Sequence, residues 1–468
     1  MSVPSWQFLV FVLIGAAVFN TVPVRFREAI WLILNLAFVW SLAWALPPLL
    51  PLFGFLALGY FGAAIGRTGK RFVAPVMILL VLAVFVWLKR YSFVPGALLL
   101  PPGAMLIGLS YIFFRVMHLV IDAGQGDTEP IGVVRYINFT LNFPAFISGP
   151  IQRREDYEAN GSLPLTVPDI GLAAWRIALG AFKVLIVSAI LHAWQREMIT
   201  QLVPDLAFGQ RVLIGAVLVV LYPLFLYANF SGYTDFVIGA ARLFRLRLPE
   251  NFDRPFSAVN FIEFWSRWHI SLSQWLRSYV FSPLLMHWMR RFRSARKSQY
   301  PAVVASFVTF FLVGAWHGQT SQFLFFGILQ GGGVAGNRLY QVAMAKRLSS
   351  AGYIRLCDNL LYRAFSRGLT FTWFAFTLLW FWASWPQIEA LAEALGLVGS
   401  FVATIGTVFC ASIVLAIPDA LGASGSTVGA LIQSRYTRTA FASIMVLAMV
   451  VAGLVLNMSS PEIVYKQF

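Results

Sequence analysis

The sequence predicts an all-α, polytopic helical membrane protein of roughly ten to thirteen membrane segments, with a re-entrant element around a buried histidine. Three observations carry that expectation. Hydrophobic residues make up 59% of the 468 positions and charged residues only 12%, too few charges to clothe a water-soluble surface of this size. Val212 to Thr234, Leu395 to Pro418 and Thr439 to Pro461 each run without a charged residue. Each is long enough to cross hydrocarbon as a helix, which takes about 20 apolar residues. Between about Gly108 and Gly336, ionisable side chains and Gly/Pro breaks lie in or beside apolar segments, where burial is costly unless it serves pairing or function.

Further segments begin near Trp6, Ile30, Leu49, Phe72, Ala97, Ile131, Leu172, Phe264, Pro301, Ser321 and Thr370. A cleavable signal peptide is not expected, because Met1 to Gln7 carries no Lys or Arg and no small-residue cleavage pattern follows. Arg25 and Arg27 follow the first segment and would place its far end in the cytoplasm. Arg67, Lys70 and Arg71 fit the same rule, and Lys89 and Arg90 fit it less well. Neither a composition break nor a solenoid-length repeat marks a second domain, so one membrane domain is expected over 1–468, with its motif-bearing core at about 108–336.

The net charge of +16 is dispersed between hydrophobic segments, which argues against a nucleic-acid partner. Its densest cluster, Arg290, Arg291, Arg293, Arg296 and Lys297, reads as cytoplasmic topology and attraction to membrane lipid. Cys357 lies in a basic loop and Cys410 in a hydrophobic segment, so no disulfide framework is expected. Gly331, Gly332, Gly333 and Gly336 lack the spacing of a dinucleotide loop and read as close helix packing.

Two of the five histidines sit in apolar settings. His317 ends the run Phe307 to Trp316, where desolvation favours neutral imidazole, a form able to accept a proton. His269 lies within Phe264-Trp265-Ser266-Arg267-Trp268-His269-Ile270-Ser271-Leu272-Ser273-Gln274-Trp275. Helical spacing there puts Trp265, Trp268, Leu272 and Trp275 on one stripe, Ser266, His269 and Ser273 on another face, and lets Glu263 pair with Arg267. Upstream, Asp235 closes Ser231-Gly232-Tyr233-Thr234-Asp235, with Arg242 seven residues on, and Pro249 and Pro255 break the helix around Glu250-Asn251-Phe252. Arg115, His118 and Asp122 share a helical face and read as an internal polar network. No metal site is expected, since no His-Glu-x-x-His or paired-cysteine pattern occurs, and Gly-x-Ser-x-Gly is absent too.

Taken in order, Gly108-Leu109-Ser110-Tyr111, Ser148-Gly149-Pro150-Ile151, Ser231 to Asp235, Pro249 to Phe252, Phe264 to Ser273 and Gly314-Ala315-Trp316-His317-Gly318 resemble the membrane-bound O-acyltransferase family, particularly its bacterial branch of alginate O-acetylation and teichoic-acid D-alanylation. The resemblance implies a tunnel or funnel reaching a buried histidine, matched by His317, and a second polar site, matched by His269. Asp235, Asn251, Arg267 and Trp316 stand as supporting candidates within the matching motifs. It also implies acyl transfer, acetyl being expected, from a cytoplasmic thioester donor such as acetyl-CoA or an acyl carrier protein, with no tightly bound cofactor. The acceptor would be a hydroxyl of an extracytoplasmic envelope polysaccharide or of a partner protein, an extracytoplasmic acyltransferase among the candidates. The location implied is the cell inner membrane, multi-pass. Phe113 to His118 looks closer to the D-alanylation branch, which keeps D-alanyl transfer from a carrier protein as an alternative. A transporter or exporter of envelope precursors is the rival class, and it would be favoured by inverted repeats, which are not evident. A non-catalytic scaffold is the third reading, and the paired histidine motifs count against it.

Overall fold

The computed structural model describes residues 3–70, 72–99, 107–126, 129–159, 164–202, 206–291, 299–420 and 434–455. Arg71, Arg293, Arg296 and Lys297 lie outside the described residues, as does the end of the expected Thr439 to Pro461 segment. Among the described residues seven helices are long and apolar enough to cross a membrane, and Trp6–Thr21 and Val73–Leu88 are shorter apolar helices. Segments expected near Ile131 and Phe264 are shorter still. Val133–Leu141 has 9 residues and Phe261–Arg267 has 7, too short at about 1.5 Å per residue to cross hydrocarbon, whereas Ile270–Leu276 runs on through a π turn at Arg277–Phe281 into Ser282–Arg291 as one helical stretch.

The chain divides into two compact units. The described residues of the first lie within 1–184 and 230–250. Its described helices are α1 (Trp6–Thr21), α2 (Val24–Ala43), α3 (Leu50–Gly66), α4 (Val73–Leu88), α5 (Leu109–Gln125), α6 (Val133–Leu141), α7 (Arg154–Glu158) and α8 (Val167–Phe182), followed later by the last part of the long α10 (Phe208–Leu243). Phe8, Phe38, Phe143 and Phe244 are buried at its centre with Trp31. Their rings meet edge-on or tilted, the arrangement that the aromatic quadrupole favours.

α8 and α10 are tied by two reciprocal ion pairs. Asp169 meets Arg242 at 3.1 Å, and Arg176 meets Asp235 at 2.8 Å, each helix offering one acid and one base seven residues apart. Lys183 adds a second cation to Asp235 at 2.6 Å. Arg242 therefore does lie along one side of α10 with Asp235, and the partner of each comes from α8.

Arg115 is wholly buried and donates to the carbonyls of Thr140 at 2.8 Å and Ala145 at 2.6 Å, satisfying backbone oxygens that irregular chain would otherwise leave dry. His118 accepts from the Arg154 backbone N–H at 3.3 Å through Nε2, so its Nδ1 carries the proton and donates to Phe114 O at 3.1 Å. The polar network expected on this helix face thus fastens the 140–154 connection. Lys89 closes α4 and is buried, with its ammonium 5.7 Å from the Phe85 ring centre and 5.9 Å from that of Tyr91, an aromatic setting that accommodates this lysine.

The described residues of the second unit lie within 185–229 and 251–455. It holds α9 (Ser188–Gln201), the first part of α10, α11 (Phe261–Arg267), α12 (Ile270–Leu276), α13 (Ser282–Arg291), α14 (Gln299–His317), α15 (Ser321–Asp358), α16 (Leu360–Thr377), α17 (Leu379–Trp382), α18 (Trp385–Ala420) and α19 (Arg435–Val455). α14 and α15 form a hairpin whose backbones come close at Gly314 and Gly327, where a Cβ on Gly314 would overlap the facing backbone. Gly331 and Gly333 pack closely as expected, whereas Gly332 and Gly336 face open space. α18 kinks at Gly396, with φ 65°, and the nearby Ala394 carbonyl accepts a hydrogen bond from Arg211 at 2.9 Å.

Candidate active site

His317 is the last residue of α14 and is only 2% exposed. Three rings surround its imidazole: Trp316 at 4.6 Å, Phe381 at 5.0 Å and Phe326 at 6.1 Å between centroids. Phe326 and Phe381 also meet each other at 5.3 Å, so α14, α15 and α17 converge on this residue. Gly318 keeps the turn beyond it tight, since a Cβ there would run into the Phe323 ring.

His269 is 1% exposed and belongs to the same unit. The continuous helix expected across Trp265 to Trp275 is broken at this residue, whose φ 44° and ψ 52° are left-handed. That conformation is uncommon outside glycine and is held here by pairing with a distant segment. Ile270 N–H donates to Asn251 O at 3.0 Å, and Asp253 N–H donates to Arg267 O at 3.0 Å, around an antiparallel bridge of Phe252 with Trp268. Asn251, fully buried, accepts from Ser271 N–H at 3.1 Å and from Ser271 Oγ at 2.7 Å through its side-chain oxygen.

The break divides the faces differently from helical spacing. Ser266 is exposed while His269 is buried, so the two do not share a face. The tryptophan set fares better, because Trp265, Trp268, Leu272 and Trp275 are all buried.

Trp316 joins the two histidines. Its indole lies 6.3 Å from the His269 ring and 4.6 Å from that of His317, so both imidazoles abut one side chain. Of the remaining candidates, Arg267 binds Glu263 at 2.8 Å with a second contact to Asp253 at 3.6 Å, which makes it a brace for the broken segment. Asp235 belongs to the first unit and is engaged by Arg176 and Lys183.

Sequence reasoning missed a buried polar chain beside this site. Trp265 Nε1 donates to Gln330 Oε1 at 3.2 Å, and Gln330 Nε2 donates to Thr377 Oγ1 at 2.7 Å, linking α11, α15 and α16. Gln330 and Thr377 are fully buried, and a glutamine within the apolar run Phe323 to Val334 was the signal available. Among the described residues no three His, Cys, Asp or Glu side chains gather as a metal-holding group.

Comparison with known proteins finds that residues 35–350 match the model of the MBOAT, membrane-bound O-acyltransferase family. The chain is 30% identical over 233 residues to a teichoic acid D-alanyltransferase of Bacillus subtilis, covering 49% of this chain and 58% of that protein. It is 30% identical over 244 residues to the Pseudomonas aeruginosa protein named "Probable alginate O-acetylase AlgI", covering 52% and 44%. To a peptidoglycan O-acetyltransferase of Helicobacter pylori it is 30% identical over 216 residues, covering 45% and 38%. The chain thus spans less than two thirds of the length of each of these curated relatives.

Proposed function

Because the chain belongs to the membrane-bound O-acyltransferase family, we propose that it transfers an acyl group, acetyl in the first instance, from a cytoplasmic thioester to a hydroxyl of an extracytoplasmic envelope polysaccharide or of a partner protein. The observation that carries the reading is the pair of buried histidines packed against the shared Trp316, one of them at the end of a membrane-length helix. The names of the relatives, an alanyltransferase of teichoic acid and O-acetylating proteins of alginate and peptidoglycan, support the acceptor class. Placement in the cell inner membrane follows from the same proposal, since the donor is cytoplasmic and the acceptor outside.

In the proposed chemistry His317 is the general base and His269 the supporting group. A hydroxyl is a poor nucleophile until its proton has an acceptor, and neutral imidazole supplies one. The hydroxyl O–H bond breaks as the oxygen bonds to the thioester carbonyl carbon. The C–S bond then breaks, and the departing thiolate takes the proton from His317, leaving ester, thiol and neutral histidine. Aromatic packing around the ring restricts water, which would otherwise hydrolyse the thioester. Asn251 acts one step removed, by fixing the backbone that presents His269. No resident cofactor enters this scheme, and the thioester, acetyl-CoA or an acyl carrier protein, is a substrate.

Transfer of D-alanine from a carrier protein is the second reading. It is favoured by the alignments with two teichoic acid D-alanyltransferases, which reach 58% and 65% of those proteins.

Reconstitution in sealed vesicles of known orientation tests the proposal. Labelled acetyl-CoA or D-alanyl carrier protein is supplied on the cytoplasmic face, and label is followed on an acceptor confined to the other side. Label crossing from one donor supports the proposal and chooses the acyl group. Transfer only when donor and acceptor share a compartment rejects the cross-membrane scheme.

A further inference from the structure

The first unit holds a cavity of about 580 Å³ that the two histidines do not line. Its size falls in the range of small-molecule sites. The end of α1, the start of α2, α6, α7 and the turn after α10 build its walls. Phe19, Trp31 and Phe244 contribute an apolar wall, with Trp31 5.9 Å from Phe19 and 5.0 Å from Phe244 between ring centres.

Four guanidinium groups line the cavity, Arg25, Arg27, Arg135 and Arg245, of which Arg135 is engaged by Glu28. Two carboxylates also line the cavity, but both have partners. Glu28 pairs with Arg135 at 2.9 Å, and Glu158 pairs with Arg154 at 2.7 Å. Arg27 Nε is buried and makes no hydrogen bond among the described residues.

Arg245 is held in place by a specific device. Its Nε donates to Asn20 Oδ1 at 2.8 Å, while Asn20 Nδ2 donates to the carbonyls of Leu243 at 2.9 Å and Ala16 at 2.8 Å. Asn20 therefore clamps both the turn after α10 and the side chain that the turn projects. The turn itself puts Arg245 at φ 65°, a left-handed conformation that is uncommon for a residue with a Cβ. Desolvation and the nearby Arg27 charge hold the Arg245 guanidinium below its ordinary pKa. Like charges fixed in mutual range favour an anion between them.

We propose that this cavity binds a phosphate ester carried on an apolar or ring-bearing body, with the phosphate held by Arg25, Arg27 and Arg245 and the body lying on Phe19, Trp31 and Phe244. Guanidinium forks match phosphate oxygens in pairs, and a phosphate offers more charge and more acceptors than one carboxylate. Arg67 and Arg154 both donate to the Glu129 carbonyl, two residues before the cavity-lining Ile131, and positive-inside bias assigns such basic connections to the cytoplasm. Two sources of the shared chemistry exist there: the headgroup of an anionic phospholipid, and a soluble nucleotide-type phosphate.

The test uses the full chain, purified in detergent and stripped of lipid. Binding is measured for phosphatidylglycerol against diacylglycerol, and for adenosine 3′,5′-bisphosphate against adenosine. Preference for phosphatidylglycerol alone identifies the lipid source, preference for the bisphosphate alone the soluble one, and preference for both leaves the shared chemistry as the selected feature. Whichever probe binds should bind roughly tenfold more weakly to the Arg25→Gln/Arg27→Gln variant and to Arg245→Gln. Asn20→Ala should shift binding in the same direction. Should the glutamine variants fail to fold, Arg25→Lys/Arg27→Lys keeps the charge, and wild-type affinity must still fall as salt rises. The proposal is overturned by equal binding of phosphate probes and phosphate-free controls, by unchanged binding in folded glutamine variants, or by salt-independent affinity.

Discussion

His118 and His317 are both buried imidazoles, 1% and 2% exposed, yet their neighbours differ. Backbone hydrogen bonds engage both ring nitrogens of His118, one from Arg154 N–H and one to Phe114 O. His317 sits among the faces and edges of Trp316, Phe326 and Phe381 and shares Trp316 with His269. An imidazole whose two nitrogens serve the backbone cannot take up a proton without giving up a structural bond. Ring contacts such as those of Trp316, Phe326 and Phe381 with His317 do not depend on which ring nitrogen carries a proton. Burial alone therefore does not mark a catalytic histidine.

Substitutions can break or sharpen that contrast. The largest effect is expected for His317→Ala, with acyl transfer falling at least about a hundredfold while the purified protein stays monodisperse. His269→Ala should cost less, about tenfold in single-turnover rate, because water or neighbouring polar groups replace an orienting role in part. The reverse order of these two effects would exchange the proposed roles. His118→Ala should lower stability by about 2 kcal/mol, read from the thermal midpoint, by leaving buried backbone groups unpaired. Its turnover per folded molecule should match the parent, and a selective loss of turnover would undo the contrast. Among the variants that slow transfer, the smallest loss is expected for Asn251→Ala, a several-fold slowing with normal donor affinity, because only the backbone presenting His269 is loosened.

Part of this was legible before any coordinates. The uncharged run from Val212 to Thr234 lies within one helix, and Leu395, where a second run begins, adjoins the kink at Gly396. Glu263 and Arg267 pair as their spacing implies, because an i, i+4 contact is local. The break at His269 was not legible. The stretch around it has helical periodicity, and the conformation is set by Asn251 to Asp253, residues well upstream in the chain. Asp235 was visible as the acid that closes an uncharged run, but its partners Arg176 and Lys183 lie more than fifty residues earlier, beyond any spacing rule. Gln330 and Thr377 escaped notice for the same reason, since their pairing joins two helices that no local pattern connects.

The most direct test of the central claim is a paired measurement on His317→Ala and His118→Ala. Both are purified to equal monodisperse amounts, and single-turnover transfer is followed from the donor that the vesicle experiment selects. The account predicts that the His317 variant is intact and at least about a hundredfold slower, whereas the His118 variant melts earlier and transfers at the parental rate per folded molecule. Near-parental transfer by His317→Ala, at matched protein, would contradict it.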